Sequence, residues 1–348
     1  MSPAAATTPS SHLGPLVALV VCSLVIADRI AVGLGLGPAT GTLCLATLGS
    51  LVIATQLGWR QALLGAAGLT LLVIPAVLSQ GNAVALTGLM AGTALAMGFT
   101  ARWQLQPTYW LMVVSLCVLI SNPSNSVALR GSDLPRLLIG LALCCGLSIA
   151  AQATLLAADG GSRPGELTVH HSWRRCLAYG LLLTSTTVVT TLLALGDHWH
   201  MRGLWLMVTP FLVLRPFVRD AWKVALHRSL GTLAGVLLVM ALAGVLPQAL
   251  PLQVPAVLLA TLTVLIVSRR GHPALMLMAL TATIVLFDSS RANLLNIADE
   301  RVQATALGIA ISLTVMALAH PIEQRLARRR REPPPNAPAG HGGPPGSR

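Results

Sequence analysis

Negative charge is what this chain lacks most. It has 11 Asp and Glu against 23 Lys and Arg, and only 10% of its 348 residues are charged. That leaves too little polar surface for a soluble globule of this length. Aromatic residues make up only 4%, and no zinc-ligand spacing occurs. The net charge of +12 therefore comes without the aromatic platforms or metal modules of a nucleic-acid reader, and no nucleic acid is expected as partner. A phosphate-binding glycine loop ending in Lys-Ser or Lys-Thr is missing, which excludes ATP as the direct energy source. Cys22, Cys44, Cys117, Cys144, Cys145 and Cys176 lie in or beside apolar segments and form no CxxC pair. There they act as small hydrophobes; no disulfide framework, metal site or cofactor is expected. Enzymes acting on lipid-linked substrates need clustered acids or histidines at one membrane face. None occur here, and no enzyme is expected.

What the chain has is apolar length. Hydrophobic residues make up 54% and the mean hydropathy is +0.74. Twelve apolar segments fall between positions 13 and 320, each to be weighed against the roughly 20 residues that a spanning helix requires. The expected fold is an all-α integral membrane protein of about 12 transmembrane helices, with both termini cytoplasmic. Basic residues mark cytoplasmic loops, and they alternate as that topology demands. Arg60, Arg102, Arg163, Arg174, Arg175, Arg215, Arg219, Lys223, Arg228, Arg269 and Arg270 fall on inside connections. The outside ones hold Arg29, Arg130, Arg136, Arg202, Arg291 and Arg301, most of them near an acid such as Asp28, Asp133, Asp288 or Asp299.

The two halves resemble each other at a nearly constant offset. Pro107 with Leu111-Met112 corresponds to Pro273 with Leu277-Met278, Ala67-Gly68 to Ala234-Gly235, Gly140 to Gly308, and Asp28 to Asp197. Six is even, so two six-helix repeats run parallel through the membrane, with a route between them. The domains are accordingly a cytoplasmic tail over 1–12, a first repeat over 13–158, a cytoplasmic linker over 159–174 and a second repeat over 175–321. A disordered basic, Pro/Gly-rich cytoplasmic tail over 322–348 follows. The stretch before residue 13 lacks Lys and Arg ahead of the apolar run, and reads as a tail, not a signal peptide.

One segment departs from the apolar background. From Thr209 to Gly235 the chain forms a basic, proline-bent elbow in which Arg215, Arg219 and Lys223 recur every four residues, with Trp222 beside them. On a helix they share a face. That stripe is either an anchor on anionic lipid or a funnel that concentrates anions. Thr209-Pro210 and Arg215-Pro216 interrupt the helix, and broken helices at membrane depth are tolerated where they line a cavity or are buried in protein. The substrate-route candidates are Thr209, Arg215, Pro216, Arg228 and Thr232. Gly231 and Gly235 share a helix face and permit close backbone approach, as do Gly88 and Gly92 in the first half.

The run from Trp205 to Leu238 resembles the fusaric-acid-resistance (FUSC) family of integral membrane transporters, which includes aromatic-acid exporters. The residues that carry the resemblance are Trp205, Thr209-Pro210, Arg228-x-x-Gly231-Thr232-x-x-Gly235 and Arg301-x-x-x-Thr305-x-x-Gly308, and it covers about 170–320. The resemblance implies an inner-membrane secondary transporter of bacteria that exports aromatic or other hydrophobic organic anions. It also implies a periplasmic membrane-fusion adaptor as a candidate partner, and Gly308 joins the packing glycines. Exporters of the family carry a sizeable cytoplasmic domain where Asp159–Ser172 is here only a short linker. Plant malate channels have a similar membrane part, so a passive anion channel is the alternative, with a non-transport membrane protein a further one. A homo-oligomer in the lipid bilayer is expected. For ion coupling the candidates are Asp28, Asp197 and Asp288, all placed at outer helix ends.

Overall fold

The computed structural model describes residues 13–103, 105–121, 131–158, 172–196, 200–214, 218–245, 247, 251–269, 271–288 and 294–331. Every regular element among them is helical. Among the described residues twelve α-helices follow one another: α1 Leu13–Gly33, α2 Thr40–Leu57, α3 Trp59–Leu78, α4 Ala83–Thr100, α5 Gln106–Ser121 and α6 Leu134–Ala158 in the first half. The second half holds α7 Trp173–Gly196, α8 His200–Val213, α9 Val218–Val245, α10 Gln253–Ser268, α11 Pro273–Asp288 and α12 Leu294–Arg331. Each of the twelve apolar segments is thus a helix. Eight are long and apolar enough to cross a bilayer, whereas α5, α8, α10 and α11 fall short of that length. Punctuation is local. Gly58 alone separates α2 from α3 and takes a φ of 88°, which a side chain would strain. The Asn82 side chain accepts a hydrogen bond from the Ala85 amide at 3.0 Å and caps α4.

The helices group in threes, and the middle helix of each three is the buried one. Every residue from Thr42 to Ala54 in α2 is buried, as are Trp110 to Ile120 in α5, Gly203 to Leu214 through the end of α8, and Ala279 to Leu286 in α11. These segments are apolar or small all round, with no polar face to turn outward, so they occupy the centre. First and third helices have two faces. In α9, Leu226, Leu230, Leu233 and Leu237 are exposed at helical spacing, while Arg228, Gly231, Thr232 and Gly235 are buried. A stripe of bare leucines suits lipid, where exposed apolar surface carries no penalty.

The two six-helix halves meet chiefly where α4 lies along α7, the most extensive pairing among the described helices. Gly98 and Gly180 make it close: a Cβ built on Gly98 would run into the Gly180 Cα and N. Thr184 adds a hydrogen bond to the Ala91 carbonyl at 3.4 Å. Gly88 and Gly92, expected to serve close packing, have nothing within 4 Å of an added Cβ. Their spacing is right, but among the described residues no helix lies against that face. At the far end, α12 continues to Arg331, ten residues beyond the boundary expected at 321.

Gly98→Ala should therefore lower the apparent melting temperature of the detergent-solubilised protein by several degrees, about 1–3 kcal/mol for an overpacked contact against backbone. Gly92→Ala should leave it unchanged or raise it slightly, since a helix-interior Gly costs up to about 1 kcal/mol relative to Ala. Equal losses at both positions would contradict this packing.

Candidate functional site

Two arginines lie buried inside membrane-length helices, and the second half is arranged about them. Arg228 is 2% exposed and sits six residues past Trp222, where the 24-residue apolar span of α9 begins. Arg301 is also 2% exposed and sits six residues past Leu295, where the 24-residue span of α12 begins. At about 1.5 Å rise per residue each guanidinium has its Cα about 9 Å inside its helix. Counting loops places Arg301 on an outside connection; the structure corrects this and buries it in α12. Its sequence cue is a repeated spacing, Arg-x-x-x-Thr-x-x-Gly, found once as Arg228, Thr232, Gly235 and again as Arg301, Thr305, Gly308.

Each arginine finds a threonine on a short central helix. Arg228 Nη2 donates to Thr209 Oγ1 on α8 at 3.0 Å, and Thr209 Oγ1 in turn donates to the Trp205 carbonyl at 2.6 Å. Arg301 Nη2 donates to Thr281 Oγ1 on α11 at 2.6 Å, and its guanidinium carbon lies 3.2 Å from the centre of the Trp205 ring. Burial makes such a cation–π contact worth about 2 kcal/mol or more. Charge-assisted hydrogen bonds contribute about 1.5–3 kcal/mol each. Together they are of the size needed to offset an arginine deep in a span, about 2.5–3.5 kcal/mol on insertion scales.

The glycine of each motif receives the other arginine's threonine. A Cβ on Gly308 would meet Thr209 Cβ at 2.7 Å, and one on Gly235 would meet Thr281 Cβ at 2.7 Å. Gly231 lies equally close to α11, 2.7 Å from Leu277 Cβ and 2.8 Å from the Ala274 carbonyl. The third helix of each three therefore crosses the middle helix of the other. Going up α9 from Arg228 to Gly235 is going down α12 from Gly308 to Arg301, so these two helices are antiparallel. Thr232 is buried between the two levels, as is Thr305 on the opposite helix.

Among the described residues no acid meets Arg228; ion pairs there join Arg29 with Asp28 at 3.9 Å and Arg136 with Asp133 at 3.7 Å. Arg60 and Arg136, which start the third helices of the first half, are exposed. Asp28, named for ion coupling, is half-exposed beside Arg29. Of the other candidates, Asp197 lies outside the described residues, as do Arg215 and Pro216. Asp288 ends α11, but its side chain lies outside them too. In the elbow, Trp222 and Lys223 are exposed on α9. His272 Nδ1 accepts from the Ala274 amide at 3.3 Å at the start of α11, and its ring meets that of His227 edge-on at 4.9 Å. Among the described residues no three His, Cys, Asp or Glu side chains are placed to hold a metal ion.

These features define a class: a polytopic helical membrane protein, transporter-like, whose second half holds cationic side chains inside the bilayer span. Residues 172–315, from the residue before α7 well into α12, match a family model described as fusaric acid resistance protein-like. Neither a curated protein nor a solved structure matches the chain.

Thr209→Val keeps the side-chain shape but removes the acceptor from a buried cation. It should destabilise the protein by about 1–3 kcal/mol, seen as a fall in apparent melting temperature. Thr70→Val, which removes only a bond to the Ala66 carbonyl within α3, should change it little. A Thr209→Val protein as stable as the parent would show that Arg228 does not depend on that hydroxyl.

Proposed function

We propose that the protein is a secondary transporter of aromatic or other hydrophobic organic anions in the bacterial inner membrane, exporting them from the cytoplasm. The observation that carries this reading is Arg228: a buried guanidinium inside a membrane span, held by a neutral threonine and met by no carboxylate among the described residues. A purely structural arginine at that depth is stabilised by an acid or is drawn to the interface by its long side chain. Held inward and left cationic, it offers a transient partner to a passing carboxylate. The family match to the same half supports a transporter, and the apolar surroundings suit a substrate with a hydrophobic body.

Around Arg228 the parts have distinct tasks. Thr209 orients the guanidinium by accepting from one nitrogen, while Thr232, one turn further along the same helix, supplies a hydroxyl on the way into the bilayer. Gly231 and Gly235 bring α9 against α11 and Gly308 brings α12 against α8, so that small shifts at these contacts move the arginine's partners. Arg215, Arg219 and Lys223 form the basic entrance at the mouth of this route, where they raise the local concentration of anions. Coupling to an ion gradient is assigned to the acids Asp28, Asp197 and Asp288. Export across a double envelope adds a membrane-fusion adaptor.

The test is flux of radiolabelled benzoate in proteoliposomes bearing the full chain, with and without an uncoupler. Gradient-dependent accumulation is expected, and Arg228→Gln should reduce it about ten- to a hundredfold, the effect of losing one charge-assisted contact of about 1.5–3 kcal/mol. Flux that is unaffected by the uncoupler makes the protein a passive anion channel. Flux that is unaffected by Arg228→Gln removes the assignment of that residue.

A further inference from the structure

The most extensive helix pairing among the described residues ends in a cluster of tryptophans and arginines that the transport reading leaves unused. α4 and α7 run antiparallel: Thr184 bonds the Ala91 carbonyl, while a Cβ on Gly98 would meet the Gly180 backbone and, at 3.3 Å, the Cys176 carbonyl. The seam therefore closes where α4 finishes and α7 begins. The membrane-length spans there are Ala83–Trp103 and Trp173–Gly196, so Trp103 is the last residue of one and Trp173 the first of the other. Arg102 lies one turn past Gly98, on the seam itself, and Trp173 lies two turns before Gly180 on the matching face.

Each tryptophan has its own guanidinium. Arg102 stands 5.7 Å from the centre of the Trp103 ring, and Arg174 stands 5.7 Å from that of Trp173. Arg175, exposed in the same first turn of α7, is a third cation at this end of the seam. None of the three forms an ion pair among the described residues, and Arg102 Nε is buried there without a hydrogen-bond partner. A buried guanidinium N–H is nearly always satisfied, since it can donate and nothing else. The cluster is short of an anionic acceptor.

Antiparallel packing also decides what kind of anion fits. In two antiparallel helices the residue after each contact residue turns to the same side of the seam, here Phe99 after Gly98 and Leu181 after Gly180. Both are bare, at 43% and 56% exposed. Trp103 follows Phe99 by one turn and Arg174 precedes Leu181 by two, so the charged end passes into an apolar strip along one side. A matching ligand has an anionic head and long apolar tails, whereas a free phosphate would leave the strip uncovered. An anionic glycerophospholipid has that form. Its phosphate accepts paired bonds from guanidiniums, and tryptophan rings and basic pockets between helices are suited to headgroup depth.

We infer that the end of the α4–α7 seam is a binding site for one anionic phospholipid. Arg102 and Arg174 hold its phosphate between the Trp103 and Trp173 rings, and its acyl chains lie along Phe99 and Leu181. The lipid bridges the two six-helix halves where they pack most extensively. The site is separate from Arg228 and does not depend on what the protein transports. Trp59 with Arg60, 5.4 Å apart at the start of α3, is a single pair of the same kind and serves as the comparison.

The full chain in neutral detergent is titrated with dioleoylphosphatidylglycerol, dioleoylphosphatidylcholine or glycerol 3-phosphate, with bound lipid counted by native mass spectrometry and the apparent melting temperature followed in parallel. Phosphatidylglycerol is expected to bind tightly once per chain and to raise the melting temperature by several degrees, and the other two to do neither at the same concentration. Arg102→Gln and Arg174→Gln should each weaken phosphatidylglycerol binding about tenfold, as expected for one lost charge-assisted contact. Arg60→Gln should change it less than about twofold, since its pair stands alone. Arg174 is exposed, so Arg174→Gln tests the site even where Arg102→Gln fails to insert. Equal binding of phosphatidylcholine would make the strip an ordinary lipid contact and overturn the proposal. An equal effect of glycerol 3-phosphate would assign the cations to a soluble phosphate and overturn it too. So would an Arg174→Gln protein that binds phosphatidylglycerol like the parent, or an equal loss in Arg60→Gln.

Discussion

A guanidinium about 9 Å inside a membrane span must be met where it lies, because a charged donor buried there without a partner costs several kcal/mol. Among the described residues the partner of Arg228 is the Thr209 hydroxyl, carried on α8, a short helix buried from Gly203 to Leu214 and pressed against α12 at Gly308. The contact therefore reaches well beyond two side chains. It requires small residues at the crossings, a central helix without a lipid face, and a third helix whose opposite side is bare leucine.

The same solution appears twice with the polarity reversed. Arg301 on Thr281 repeats Arg228 on Thr209, and Gly235 repeats Gly308, so each unit supplies both the cation and the surface on which the other cation's threonine rests. The Arg301 contact has one addition, the Trp205 ring beneath its guanidinium at 3.2 Å. Trp205 belongs to α8, the helix that also carries Thr209, so the aromatic face against one arginine and the hydroxyl held by the other are one turn apart on a single element. The first half follows the same grouping in threes with α2 and α5 at its centre, but its third helices begin with the exposed Arg60 and Arg136. It meets the second half most extensively where Gly98 packs against Gly180.

Several features of this arrangement could be read from residues alone. Twelve apolar segments became twelve helices, because an all-apolar run in a chain this poor in charge has nothing to do but form a buried or lipid-facing helix. Arg228, Thr209 and Thr232 were legible from the basic elbow and the glycine face beside it. Arg301 was not, although its motif has the same spacing. Position in a loop count outweighed the pattern, and burial of a cation depends on neighbours far along the chain. Gly88 and Gly92 show the converse: their spacing fits helix contact, but among the described residues no helix lies against them. Residue matches at an offset of about 167 point to a parallel six-helix period, while the three-helix period within the second half leaves only one short shared motif in the sequence.

By itself the sequence determined the class: a helical membrane chain with its charge gathered at a few places and glycines set for close approach. Hydropathy and spacing are local properties, and they need no knowledge of partners. Only the tertiary structure decided which cations are buried, that α8 and α11 are central although short, and that α9 and α12 run in opposite directions past each other's threonines. Those outcomes depend on contacts between residues 19 or 20 positions apart and on helices separated by two others, where the free energy of burying a charge is settled by what packs around it.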